Sequence, residues 1–360
     1  MKGEFTMQGT LSTKKSFRAK WNKFVSTDEF SALVPLVLLL VVVQLIKTVL
    51  QSVEAGQLVW GSFLSWDNIR TVLNLVPFIG ICCLGNALVI MTSSADMSVG
   101  TTAGFSCIVL GWVIKTLGMP WWVGILAGLL TGLLLGWIKA YFILDLNLPS
   151  CIVTLGLSQI IASARYFLSG GYQFNELGMK AFGEADVFGL YYAFFIALLL
   201  YVIVSIMLAK TTFGRKIKAV GDNPEVAALS GINVVNIKKF AYLASGVIVA
   251  ISGLLMAIRL DLAAPTNGTG WETNCIAACA IGGVSLSGGK GSGLCIAMGM
   301  MTMMFLTSAF YQFPSLPTQL EGSVIGIFLM VAASLDMIKS RQKVKAEDVK
   351  TFDDEEVTEF

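Results

Sequence analysis

Apolar stretches of about eighteen or more residues recur along the chain, and they run apolar all round instead of alternating at every second position. A helix of about that length crosses roughly 30 Å of hydrocarbon, whereas a transmembrane barrel strand would show a period of two. The pattern predicts about ten helical spans, near residues 31–50, 71–92, 99–117, 121–142, 149–168, 189–209, 240–260, 273–284, 291–311 and 320–337. The eighth is short and runs into Gly282-Gly283, as a broken helix would. Residues 31–338 are therefore read as one all-α transmembrane domain.

The greasy pattern breaks once in the middle. Residues 210–239, KTTFGRKIKAVGDNPEVAALSGINVVNIKK, carry six cations: Lys210, Arg215, Lys216, Lys218, Lys238 and Lys239. Inside this insert the chemistry of helix ends predicts a short helix. Asn223 can cap, Pro224 suits a first helical position whose N–H is unpaired anyway, and Gly231 supplies a left-handed stop. A rod over residues 224–230 is about 10 Å long. It is too short to be stable alone, so Val226, Ala227 and Leu229 are expected to lie against a partner.

Charge placement gives an orientation. Residues 1–30 form a basic tail with Lys2, Lys14, Lys15, Arg18, Lys20 and Lys23, and residues 339–360 begin with Lys339, Arg341, Lys343 and Lys345 before turning acidic. Connections 51–70 and 170–188 hold mostly carboxylates. By the positive-inside rule both termini and the insert face the cytoplasm, and ten passes agree with that count. No short apolar core with a small-residue cleavage site opens the chain.

Composition confirms the class. Of 360 residues 55% are hydrophobic and only 13% charged, with no histidine and a net charge of +2. Charged residues near 25% would mark a soluble domain. The missing histidine removes the commonest metal ligand and general base. The seven cysteines lie in or beside apolar stretches without paired CxxC spacing and read as small buried hydrophobes. No metal, cofactor, catalytic group or nucleic-acid partner is expected.

Polar groups within the spans are the candidates for a solute path. Asp96 heads the set, since a carboxylate at membrane depth is costly; it reads either as a ligand, with Asn86, Ser98 and Thr101 beside it, or as the cap of a helix starting near Met97. Thr154, Ser158 and Gln159 give the fifth span a partly polar face, and Arg165 beyond them reads as a snorkelling cation. Glu272 and Asn274 open the broken eighth segment, on the outer side by the span count, either for a permeating solute or as a cap. Residues 285–290 fail the phosphate-loop pattern twice, because Val284 and Gly291 occupy required positions. Gly124, Gly128, Gly132 and Gly136 recur every four residues and predict close helix packing. A faint echo pairs residues 97–100 (MSVG) with 286–289 (LSGG).

Four segments, ADMSVG at 95–100, LPSCIVTLG at 148–156, FGRKIKAVGDNPEVAALSGI at 213–232 and WETNCIAACAIGGVSLSGGKGS at 271–292, resemble the permease subunits of bacterial ABC importers of the ribose and galactose type, within the branched-chain amino acid permease superfamily. The resemblance spans about residues 70–340. It implies a type II importer fold with broken helices, in a bacterial cytoplasmic (inner) membrane. It implies that Asn223, Pro224, Glu225, Val226, Ala227, Ala228, Leu229, Ser230 and Gly231 form the coupling helix that docks in a cytoplasmic ATPase subunit. A second permease, copy or paralogue, and an extracytoplasmic solute-binding protein are the other implied partners, with a sugar or similar small polar solute as cargo. The chain departs from the family's usual residues at Thr273-Asn274, at Glu321 before Gly322, and at 314–317 (PSLP), so the solute's identity does not carry over. The rival reading is a transporter driven by an ion gradient, with Asp96 or Glu321 binding the ion; an intramembrane enzyme is disfavoured by the lack of a nucleophile–base pair.

Overall fold

The computed structural model describes residues 28–337 apart from 56, 58–59, 314–316, 318–319, 332 and 335–336. The expected basic and acidic tails, and most of the 314–317 turn, lie outside the described residues. The helices of the membrane domain are α1 (Asp28–Ala55), α2 (Trp66–Ile90), α3 (Val99–Lys115), α4 (Trp121–Ala140, continued by a π-turn Tyr141–Asp145) and α5 (Ser150–Ser169). After β1 (Phe174–Asn175), the short α6 (Lys180–Glu184), β2 (Asp186–Val187) and β3 (Leu190–Tyr191) comes α7 (Tyr192–Lys210). The insert holds α8 (Thr212–Asp222) and α9 (Pro224–Leu229); beyond it lie α10 (Val234–Leu260), β4 (Leu262–Ala263), α11 (Trp271–Ile281), α12 (Gly293–Gln312) and α13 (Leu320–Val331).

Seven of these helices are long and apolar enough to cross a membrane, namely α1, α2, α4 with its π-turn, α5, α7, α10 and α12. The other three expected spans are α3 and α13, shorter apolar helices of 17 and about 12 residues, and α11, a helix of 11 residues. The protein is a polytopic all-α membrane protein.

The 27-residue α10 is the axis of the bundle, about 40 Å long. Asn233 starts it by accepting from the amide of Asn236 at 3.0 Å, and Asp261 ends it with φ 51°. Helices α2, α3 and α4 pack around it at glycines. A β-carbon on Gly85 of α2 would sit 3.1 Å from the Ser245 carbonyl oxygen, one on Gly132 of α4 would overlap the Gly246 carbonyl, and one on Gly253 would overlap that of Ala103. The four-residue glycine repeat of α4 thus serves close helix packing, and Gly128 and Gly136 continue it against Ser106 and Tyr242. By contrast α1, α5 and α7 turn most of their surface outward, with Leu38, Ile152, Ile160 and Leu199 among the exposed side chains.

At the end away from the insert, β1 pairs with β4 through Phe174↔Ala263 and Asn175↔Leu262, and β2 with β3 forms a hairpin. From β4 the chain dips back into the bundle. Gly268 and Gly270 take φ of 78° and 81°, and the carbonyl of Gly268 lies against Gly100 in the first turn of α3. Glu272, expected to open the broken segment at the outer side, starts α11 inside the bundle instead, because small Gly100 and Gly104 leave room for backbone there.

The echo between 97–100 and 286–289 does not mark equivalent positions. Gly100 is helical, whereas Gly289 is in a loop at φ 75°. The two loops nevertheless touch, with Ser93 Oγ donating to the Ser287 carbonyl at 2.7 Å.

Candidate functional site

The insert forms two helices where helix-end chemistry predicts one. Thr211 starts α8 by accepting from the amide of Gly214 at 3.2 Å, and Ile217 and Val220 are wholly buried. The spacing of Phe213, Ile217 and Val220 was the available signal, obscured by Gly214, Gly221 and three cations. Helix α9 continues without a linker. Asn223 Oδ1 accepts from the amides of Glu225 at 2.9 Å and Val226 at 3.1 Å, Pro224 occupies the first turn, and Gly231 has φ 79°. Ser230 Oγ donates back to the Val226 carbonyl.

The apolar face of α9 is divided. Ala227 is buried, while Val226 is 56% and Leu229 90% exposed. The three residues expected to meet a partner together therefore reduce to two, since Ala227 holds the helix to the protein. Glu225, Ala228 and Ser230 are exposed beside them.

Within the bundle the polar candidates gather where α3 begins. Asp96 Oδ1 accepts from the Ser98 amide at 2.9 Å and the Ser98 hydroxyl at 2.7 Å. Asp96 Oδ2 lies 2.6 Å from Lys139 Nζ of α4, with both side chains wholly buried. The carboxylate thus both braces the loop ahead of α3 and forms an ion pair; it is not the helix cap expected near Met97, because α3 starts at Val99 with Ser98 at its N-cap. Lys139 is the residue that sequence reasoning missed; a single cation inside the apolar run 132–142 was the signal. Thr101 Oγ1 donates to the Ser98 carbonyl at 2.9 Å, and Thr154 Oγ1 accepts from the Met97 amide at 3.1 Å, which ties α5 to the same loop.

A second polar group lies further along α3. Arg165 does not snorkel: it is buried, and its Nη1 donates to the Asn267 carbonyl at 2.6 Å, leaving Nε without a partner. Asn267 is itself buried and donates to Cys107 Sγ. Glu272 packs against Gly100 with Oε2 unpaired, and Asn274 is half-buried. Asn86, on α2, is wholly buried with neither side-chain polar atom paired. Ser158 is buried and Gln159 faces outward, so the fifth span's polar residues divide between two sides. Among the described residues no group of three or more His, Cys, Asp or Glu is placed to hold a metal ion.

The chain as a whole is similar in sequence to known proteins. A family model described as branched-chain amino acid transport system / permease component matches residues 68–333. The chain is 31% identical to the fructose import permease protein FrcC of Rhizobium meliloti over 82% of this chain and 84% of that one. It is 30% identical to the L-arabinose transport system permease protein AraH of Escherichia coli (strain K12) over 78% and 86%. It is also 29% identical to the autoinducer 2 import system permease protein LsrC of Salmonella typhimurium over 64% and 67%. No solved structure matches.

Proposed function

We infer that this chain, which belongs to the family of branched-chain amino acid transport system permease components, imports a sugar or similar small polar solute on ATP hydrolysed by a separate subunit. It is the membrane permease subunit of an ABC importer and not itself an enzyme. The observation that carries the coupling reading is α9: a capped helix, held down by Ala227, that presents Val226 and Leu229 to solvent. An exposed apolar pair on a rigid rod suits a groove in an ATPase subunit.

The basic insert and both termini then face the cytoplasm of a bacterial inner membrane. A solute-binding protein delivers cargo to the hairpin-bearing side, and a second permease, copy or paralogue, completes the pore. The path runs past Asn86, Asp96, Ser98, Thr101, Thr154, Ser158, Glu272 and Asn274, while Gln159, which faces outward, lies on the other side of α5. Unpaired Asn86, and Oε2 of Glu272, have hydrogen-bonding capacity to offer a passing hydroxyl.

The ion-gradient reading loses ground on geometry. It needs a free carboxylate at Asp96 or Glu321, but Asp96 is held by Lys139 and Ser98, and Glu321 Oε1 accepts from Thr307 at 2.7 Å. Proteoliposomes decide between the two. We expect uptake of radiolabelled sugar only with the ATPase, ATP and binding protein present; accumulation by this chain alone under an ion gradient would sink the importer reading.

A further inference from the structure

The insert meets both interrupted parts of the bundle at one backbone junction. Gly221, in the last turn of α8, is buried so closely that a β-carbon would overlap the carbonyl of Met91 and the amide of Gly289. Gly289 donates its amide to that same Met91 carbonyl at 3.1 Å. At φ 75° a side chain there would be strained, and its β-carbon would fall 2.8 Å from the Asp222 backbone. Gly288, at φ 95°, would bring a β-carbon within 2.8 Å of Gly221 and Ser93. Ser93 itself sits at φ 59° and reaches the Ser287 carbonyl.

Three chain segments therefore meet largely through backbone, joined by the Ser93 hydroxyl: the end of α8, the loop 91–98 between α2 and α3, and the loop 282–292 between α11 and α12. Each leads somewhere. Asn223 joins α8 directly to α9. Loop 91–98 ends in the Asp96–Lys139 pair and is tied to α5 by Ser150 and Thr154, the Ala95 amide donating to Ser150 Oγ at 3.3 Å. Loop 282–292 hangs from α11, whose first turn carries Glu272.

We propose that Gly221, Gly289 and Ser93 are positioning residues for coupling: they form the joint that carries displacement of α9 into loops 91–98 and 282–292 at once, and so to the polar groups at the start of α3 and α11. Contacts between backbones have no rotamers to absorb a shift, so the joint passes motion instead of damping it. This rests on the importer reading above.

The test uses the full chain assembled with its ATPase and binding protein in proteoliposomes, scored by ATP hydrolysis and by uptake of radiolabelled fructose, arabinose, ribose and galactose. Gly221→Ala and Gly289→Ala should leave ATPase association and its hydrolysis within about twofold of wild type while solute moved per ATP falls at least tenfold. Ser93→Ala, which removes one hydrogen bond and no packing, should lower the same ratio about threefold and keeps the test alive if the glycine variants fail to assemble. An unchanged ratio in Ser93→Ala, or glycine variants that assemble and transport at the wild-type ratio, would overturn the joint. A wild-type complex that moves none of the four sugars overturns instead the sugar-importer premise, so the two failures are distinguishable.

Discussion

Asp96, in the loop before α3, and Lys139, near the end of α4, meet at 2.6 Å with both side chains removed from solvent. Such a pair is not by itself a strong stabiliser, because each ion is costly to desolvate. Its weight shows when one member is lost, since the other is then stranded at the junction of α3, α4 and α5.

Lys139→Met should therefore lower stability by about 3–5 kcal/mol, the usual effect of leaving one buried charge alone. Adding Asp96→Asn should restore most of it, since the replacement amide can still accept from Ser98. Thermal unfolding of the detergent-solubilised protein, with the two single variants and the double variant, measures the coupling; purely additive losses would show the pair contributes nothing specific.

Leu229→Asp should abolish co-purification with the ATPase subunit while membrane insertion and thermal stability stay at wild-type level, because that side chain is 90% exposed. Ala227→Asp should do something different, destabilising the insert itself, since Ala227 is buried. If ATPase association survives Leu229→Asp, α9 is not the docking helix.

Cys83 of α2 and Cys279 of α11 hold their sulfurs 3.7 Å apart in the core. Membrane-permeant iodine should join them, forming one S–S bond with loss of two hydrogens as HI, and pin α11 to α2. We expect uptake to fall at least fivefold and to return on reduction, with Cys279→Ser protein unaffected. Full crosslinking, verified by mass spectrometry, without loss of uptake would show that α11 does not shift against α2 during transport.

Much of this was legible in the sequence because apolar length and helix-end chemistry act locally. The ten apolar stretches each became a helix, and Asn223, Pro224 and Gly231 took the roles their chemistry dictates. Helix α8 escaped because its apolar face is only half-buried Phe213 with Ile217 and Val220, set among cations and glycines. Lys139 and the path of residues 264–270 escaped for another reason: both depend on what lies opposite. A lysine in an apolar run has no visible partner until Asp96 is folded against it, and a re-entrant segment has no visible depth until Gly100 and Gly104 make space. The depth of Glu272 depends on the same packing, since counting passes assumes that each begins at a surface.

The glycine contact between α4 and α10 has a consequence for how such a bundle can change shape. With Gly132 and Gly246 in backbone contact, and Lys239 paired to Asp145 at 2.6 Å near the insert, the two helices are fastened at mid-length and at one end. Neither can shear past the other without prising that seam apart, so together they act as a keel.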